Sequence, residues 1–140
     1  SNCYGYWESP LIEVLDRDGN PTTELRSDRL YMVEARVGST NPDPNKVPDF
    51  RLRLTTANGD ETATKVVTSA SPDAGNAPTT LGGKVYRTYF QPSNDGVAKQ
   101  GMKLYFEMLN FNPNDDLGTT LILRDYTITE MPAPIKTSEL

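Results

Sequence analysis

The sequence predicts an all-β domain, a two-layer antiparallel β-sandwich of jelly-roll type. Three observations lead there. Apolar and polar residues alternate with period two along most of the chain, the pattern of a strand with one buried face. The alternating runs are rich in Val, Ile, Tyr, Phe and Thr, which suit a pleated, half-buried surface. Between them lie loops of Pro, Gly, Asn and Asp, with eleven Pro and ten Gly in the chain, and no stretch of useful length has a helical period. At 140 residues the chain can bury one real hydrophobic core. Residues 1–130 read as a single domain and 131–140 as a Pro-rich tail or linker. An immunoglobulin-type sandwich is the rival, although the Cys…Trp…Cys spacing of true immunoglobulin domains is missing.

Eight strands follow in order. A short one stands near 4–7, and a second spans 11–16. DGN at 18–20 then puts Gly19 where φ must be positive. The strand at 29–38 contains LYMVEARV, with Tyr31, Val33, Ala35 and Val37 on one face. NPDPNK at 41–46 is a loop. In FRLRL, within a strand at 49–56, Phe50, Leu52 and Leu54 oppose Arg51 and Arg53. NGD at 58–60 makes the turn to a strand at 62–69, and SPDAGNAP at 71–78 is a loop. VYRTYF, in a strand at 84–91, sets Tyr86, Thr88 and Phe90 against Val85, Arg87 and Tyr89. After PSNDG at 92–96 comes a strand at 101–110, where Met102, Leu104, Phe106 and Met108 alternate with Lys103, Tyr105 and Glu107. NFNPNDDLGTT at 110–120 leads into the last strand, 120–129.

Composition excludes several functions. A net charge of −5 argues against nucleic acid, whose phosphates need a basic surface, and against docking on anionic membranes. No apolar run is long enough for a transmembrane helix, so membrane insertion is not expected. Histidine is absent and Cys3 is the only cysteine. Ser–His and Cys–His nucleophilic sites, His/Cys zinc sites and intrachain disulfides are thereby removed. A glycosidase needs two carboxylates at a defined separation, and none of the nineteen acids forms a marked pair. We therefore expect no enzyme. The start, SNCYGYW, reads as a piece of a longer protein or a processed product, with Cys3 incidental, paired between chains, or left from a lipid anchor.

Four constellations remain. DRDGN at 16–20 alternates Asp16, Asp18 and Asn20, but Gly and the distal Glu fall at the wrong places for an EF-hand, so it reads as a turn. NFNPNDDLGTT offers a structural turn, a sugar-contacting rim, or hard oxygen ligands for calcium. Asp125 interrupts the last strand on the face of Leu121 and Leu123. A core-ward carboxylate there needs an arginine partner, water at a strand edge, or a structural calcium. Finally, Arg51, Arg53, Lys103, Tyr105 and Glu107 lie on the outward sides of two strands. If these neighbour each other, they form either a solvated ion-paired face or a sugar site. In the second case an aromatic ring covers the apolar face of a pyranose and charged planar groups bond its hydroxyls. Trp7 is a further stacking candidate, or else packs against the end of the sandwich.

The succession LRSDRLYMVEARV, FRLRL, VYRTYFQP, LYFEMLNF and TTLILRDYTI resembles the galactose-binding-like jelly roll of extracellular carbohydrate-binding modules. Its closing strand of the form Leu-x-Asp is here Leu123-Arg124-Asp125-Tyr126-Thr127-Ile128, and the resemblance, one of strand order and texture, spans most of residues 8–130. The resemblance implies that Asp125 helps hold a structural Ca2+ with groups from the first strand, where Glu8 and Glu13 are the nearest acids. It also implies sugar on one sheet's open face, at Arg51, Arg53, Tyr105 and Glu107, or at the sandwich edge, near Trp7 and the loop at 112–116. The resulting expectation is a non-catalytic binding module, extracellular or on a cell surface, for a polysaccharide or other glycan. The alternative is a structural or adhesive module that joins copies of itself or adjacent domains on a cell or virion surface through a strand edge or its tail.

Overall fold

The structure, a computed structural model, describes residues 6–26, 29–56, 61–67, 77–92, 99–109 and 119–132. Its strands are β1 (Tyr6–Glu8), β2 (Val14–Leu15), β3 (Pro21–Thr22), β4 (Glu24–Leu25), β5 (Leu30–Ser39), β6 (Phe50–Thr56), β7 (Glu61–Val67), β8 (Lys84–Phe90), β9 (Lys99–Gln100), β10 (Met102–Met108) and β11 (Leu121–Met131). One 3-10 turn, Pro44–Lys46, is capped by the Asp43 carboxylate. No α-helix occurs among the described residues. The turn at 58–60, most of the loops at 71–78, 92–96 and 110–120, Cys3, and residues 133–140 lie outside this description.

Two sheets account for the architecture. One has the order β1-β10-β6-β7, the other β3-β2-β11-β5-β8, and β4 and β9 form a separate pair. Among the described residues all pairings are antiparallel save one: β2 runs parallel to β11, with Leu15 beside Thr129. That pair departs from the fully antiparallel arrangement expected. The expected strand at 11–16 is also shorter, because Ser9 and Ile12 first donate their backbone N–H groups to the Leu104 and Met102 carbonyls. The segment thus follows β10 before it crosses to the other sheet as β2.

The alternation read from the sequence defines the core. Tyr31, Val33, Ala35 and Val37 of β5 face Phe50, Leu52 and Leu54 of β6, joined by Met102 and Leu104 of β10 and Ile128 of β11. Phe50 is fully buried and meets the edge of Tyr86 at 5.4 Å and of Phe106 at 5.5 Å. It therefore ties β6 to β8 across the sandwich-like interior. The buried Tyr31 hydroxyl accepts the Arg26 N–H at 2.7 Å, which satisfies the one polar atom of that ring. On β7, the end strand of its sheet, Lys65 stands opposite Leu52. A core-side lysine on an edge strand discourages a further strand from adding there.

The turns behave as their residues dictate. The Asp16 carboxylate accepts the backbone N–H groups of Asp18 at 2.9 Å and Asn20 at 2.8 Å, and Gly19 adopts φ +83°. DRDGN is thus a self-satisfied hairpin turn between β2 and β3. The last two residues of NFNPNDDLGTT are anchored as well. Thr119 Oγ1 donates to the Lys46 carbonyl at 2.7 Å, and the Thr120 N–H donates to Thr40 Oγ1 at 2.9 Å.

Candidate functional site

The antiparallel register of β6 and β10 sets Tyr105 opposite Arg53 and Glu107 opposite Arg51. β1 then adds Tyr6 beside Glu107 and Glu8 beside Tyr105. Because side chains alternate across a strand, all of these project from the outer face of the four-stranded sheet. The first row across the strands reads Tyr6, Glu107, Arg51, Val66, and the second reads Glu8, Tyr105, Arg53, Thr64. Lys103 follows on β10.

Glu107 organises this face. Its carboxylate accepts from Arg51 Nε and, at 2.9 Å, from Arg53 Nη2. The residue is only 8% exposed. Burial pushes its pKa up, but the hydrogen bonds and charges of the two guanidiniums together outweigh that and hold it below the ordinary carboxylate value. Arg53 also lies over the Tyr105 ring, 4.6 Å from its centroid, a cation–π contact of about 0.5–1 kcal/mol. Tyr105 is in turn 6.0 Å from the Tyr6 ring, the planes tilted by 36°. Lys103 bonds Glu8 at 2.7 Å, which lowers the Glu8 pKa and raises that of Lys103. Burial and a hydrogen bond to Glu8 raise the Tyr105 phenol. These contacts link Arg51, Arg53 and Lys103 with Glu8, Glu107, Tyr6 and Tyr105.

Arg51, Arg53, Tyr105 and Glu107 are therefore brought together as one cluster. Trp7 is not part of it. It pairs with Phe106, on the opposite side of β1 from Tyr6 and Glu8, and packs on Tyr126 at 5.7 Å while staying 37% exposed. Glu107 is buried under its two arginines, so it positions them more than it meets solvent. Sequence reasoning missed Tyr6, at 58% exposure the most open ring of the face. Its signal was the alternation of Tyr6 and Glu8 about Trp7, three residues in a strand too short to show a period.

Asp125 needs a correction. The expectation that it shares the face of Leu121 and Leu123 assumed unbroken alternation. Instead the pairing with β5 slips between Arg124 and Tyr126, and Asp125, with φ +31°, is the extra residue of a β-bulge. The slip moves the inward series from Leu121 and Leu123 to Tyr126, Ile128 and Glu130. Asp125 is left exposed, and its place in the strand is explained by backbone geometry, since Asp tolerates left-handed φ better than most residues. Glu8 is committed to Lys103, and Glu13 is exposed ahead of β2. Among the described residues no three His, Cys, Asp or Glu side chains group to hold a metal ion. We expect Asp125→Gly to shift stability by no more than about 1 kcal/mol, and toward greater stability if the positive φ dominates. Urea unfolding with and without calcium measures this; a loss seen only when calcium is present would restore the metal reading.

A buried ion pair also escaped sequence reasoning. Glu130, 6% exposed, accepts from Arg29 Nε at 2.9 Å. It closes the end of the β5–β11 pair from positions 101 residues apart, a separation that no local pattern reveals.

In comparisons with known proteins, no family model and no curated protein matches the chain.

Proposed function

We propose that the domain is a non-catalytic binding module that takes a glycan on the outer face of β1, β10 and β6, in an extracellular or cell-surface setting. The observation that carries this is the pair of neighbouring rings, Tyr6 and Tyr105, on an exposed sheet face beside Arg51 and Arg53. A pyranose presents axial C–H groups to a ring face, and guanidinium N–H groups bond the hydroxyls at its edge. Tyr6, more exposed than the half-buried Tyr105, is the natural platform.

The jelly-roll reading belongs with this proposal. From β5 onward the chain passes to the other sheet at β6, returns at β8, crosses again at β10 and returns at β11. Such repeated crossing supports a jelly-roll winding, and the parallel β2–β11 pair is the point at which the order departs. The likeness to galactose-binding-like carbohydrate-binding modules rests on the same strand succession. A structural calcium at Asp125 with Glu8 or Glu13 is not part of the proposal, because those groups have other accounts.

Thermal unfolding and intrinsic tyrosine and tryptophan fluorescence, with a panel of soluble neutral and acidic polysaccharides, test the reading. A ligand bound only by the native state raises the melting temperature by mass action. Tyr6→Ala should weaken binding about tenfold or more, the loss of roughly 1.4 kcal/mol of stacking, and should leave the fold intact because the ring is so exposed. No shift with any glycan would overturn the proposal. An assembly module is the second reading, favoured by β8, which ends the five-stranded sheet and exposes Val85 and Tyr89, at 38% and 52%. It predicts concentration-dependent association in light scattering and no glycan response.

A further inference from the structure

We infer that the glycan taken by this face is acidic, its carboxylate received by Arg51. The inference rests on the glycan reading above and deepens it. On this face Arg51 and Arg53 meet Glu107, and Lys103 meets Glu8. Lys103 and Glu8 neutralise each other. Glu107 is shared by two arginines.

The division of labour between the two arginines says which one has capacity. Arg53 is held under the face, with Nη2 on Glu107 and its plane over Tyr105. Arg51 meets Glu107 through Nε. Its two terminal nitrogens make no hydrogen bond to the described residues, and its side chain keeps 36% exposure. A guanidinium fixed at Nε presents its terminal nitrogens as a rigid fork, the geometry that receives a carboxylate through two parallel hydrogen bonds. Such a fork discriminates a carboxylate from a hydroxyl better than an ammonium does.

Spacing fits a sugar acid. Tyr6 and Arg51 occupy the same row with Glu107 between them, and two strand spacings separate their backbones by about 10 Å. A pyranose stacked on Tyr6 and lying over the buried Glu107 brings an exocyclic carboxylate to the Arg51 fork. Repulsion from charges elsewhere on the acidic chain is largely screened beyond about 8 Å at physiological ionic strength.

The experiment compares an oligogalacturonate with its fully methyl-esterified form by calorimetry on the full chain. The ring is the same, and the charged carboxylate is replaced by a neutral methyl ester. The acid is expected to bind at least about tenfold more tightly than the ester. Arg51→Gln should abolish that difference while the melting temperature, read separately, reports folding, and Arg51→Lys should restore only part of it. Equal binding of acid and ester, with loss of both in Tyr6→Ala, would overturn the acidic specificity and leave the glycan reading standing. Binding of neither ester, acid nor any neutral glycan would sink both. Dextran sulfate binding as tightly as the oligogalacturonate and unaffected by Tyr6→Ala would reduce the face to non-specific anion attraction, and would also overturn the inference. The comparison of acid with ester needs no variant, so it stands even where Arg51→Gln fails to fold.

Discussion

Glu107→Ala is expected to destabilise the domain by about 2–3 kcal/mol, measured by urea unfolding at neutral pH. The substitution leaves Arg51 and Arg53, two positions apart on one strand face, without the carboxylate that accepts from both. Breaking a buried ion pair from one side costs about 3–5 kcal/mol. The partial exposure of the arginine side chains, 36% and 25%, lets water recover some of that. Glu107→Gln separates charge from shape, since the amide can still accept from one guanidinium, and it should cost less than the alanine. The pH dependence has a definite sign. The folded-state pKa of Glu107 lies below its ordinary value of 4.5. Its contribution is therefore fully present above that value and is lost as the pH falls through the depressed folded-state value. The wild-type chain should lose stability on acidification below about pH 4.5 more steeply than Glu107→Gln does. Parallel acid limbs in the two proteins would show that the carboxylate is not holding the arginines. The same variant should lose glycan binding, because Arg53 and Arg51 both lose the group that orients them.

This face shows how much of the site could be read in advance. The alternation of FRLRL and MKLYFEM placed Arg51, Arg53, Lys103, Tyr105 and Glu107 on outward sides, because a strand's side-chain period is two regardless of its neighbours. That β6 and β10 are neighbours, in the register that sets Glu107 against Arg51, depends on pairing between segments about fifty residues apart, roughly the loop-closure problem that local pattern cannot solve. Trp7 enters the sequence reading as a stacking candidate at the sandwich edge, and parity with Tyr6 and Glu8 assigns it to the other side of β1. The face expected for Asp125 differs for a related reason. The series Leu121, Leu123, then Tyr126, Ile128 already contains the phase slip; unbroken alternation turns Asp125 core-ward, whereas it marks a bulge and reaches solvent. The strands themselves, 30–39, 50–56 and 84–90 among them, lie close to where composition and turns put them.

The two glycines of LGGKV carry the other large expected effect, and they should behave oppositely. Gly83 has φ +69°, and a Cβ added there would lie 2.0 Å from the Val37 carbonyl oxygen and 2.7 Å from the Gly38 Cα. Both are backbone atoms of β5, which cannot move aside as a side chain would. Left-handed backbone alone costs an L-residue roughly 1–2 kcal/mol, and the collision forces a shift in a segment bound to β5 from several directions. Ser39 donates its N–H to the Thr80 carbonyl at 2.8 Å, Gly83 donates to Thr80 Oγ1 at 3.0 Å, and Arg36 Nη1 donates to the Gly82 carbonyl at 3.1 Å. We expect Gly83→Ala to cost about 3 kcal/mol or more. Gly82 is its internal control, with no heavy atom within 4 Å of an added Cβ and no positive φ. Gly82→Ala should stay within about 0.5 kcal/mol of the parent, since it sits on the surface clear of any special feature. Urea unfolding of the pair discriminates sharply, because composition and neighbouring sequence are the same and only the approach to β5 differs. Equal effects at the two positions would mean that the loop from 79 to 83 does not pack on β5 as described, and the Arg36 contact that anchors the outer face of the five-stranded sheet would fall with it.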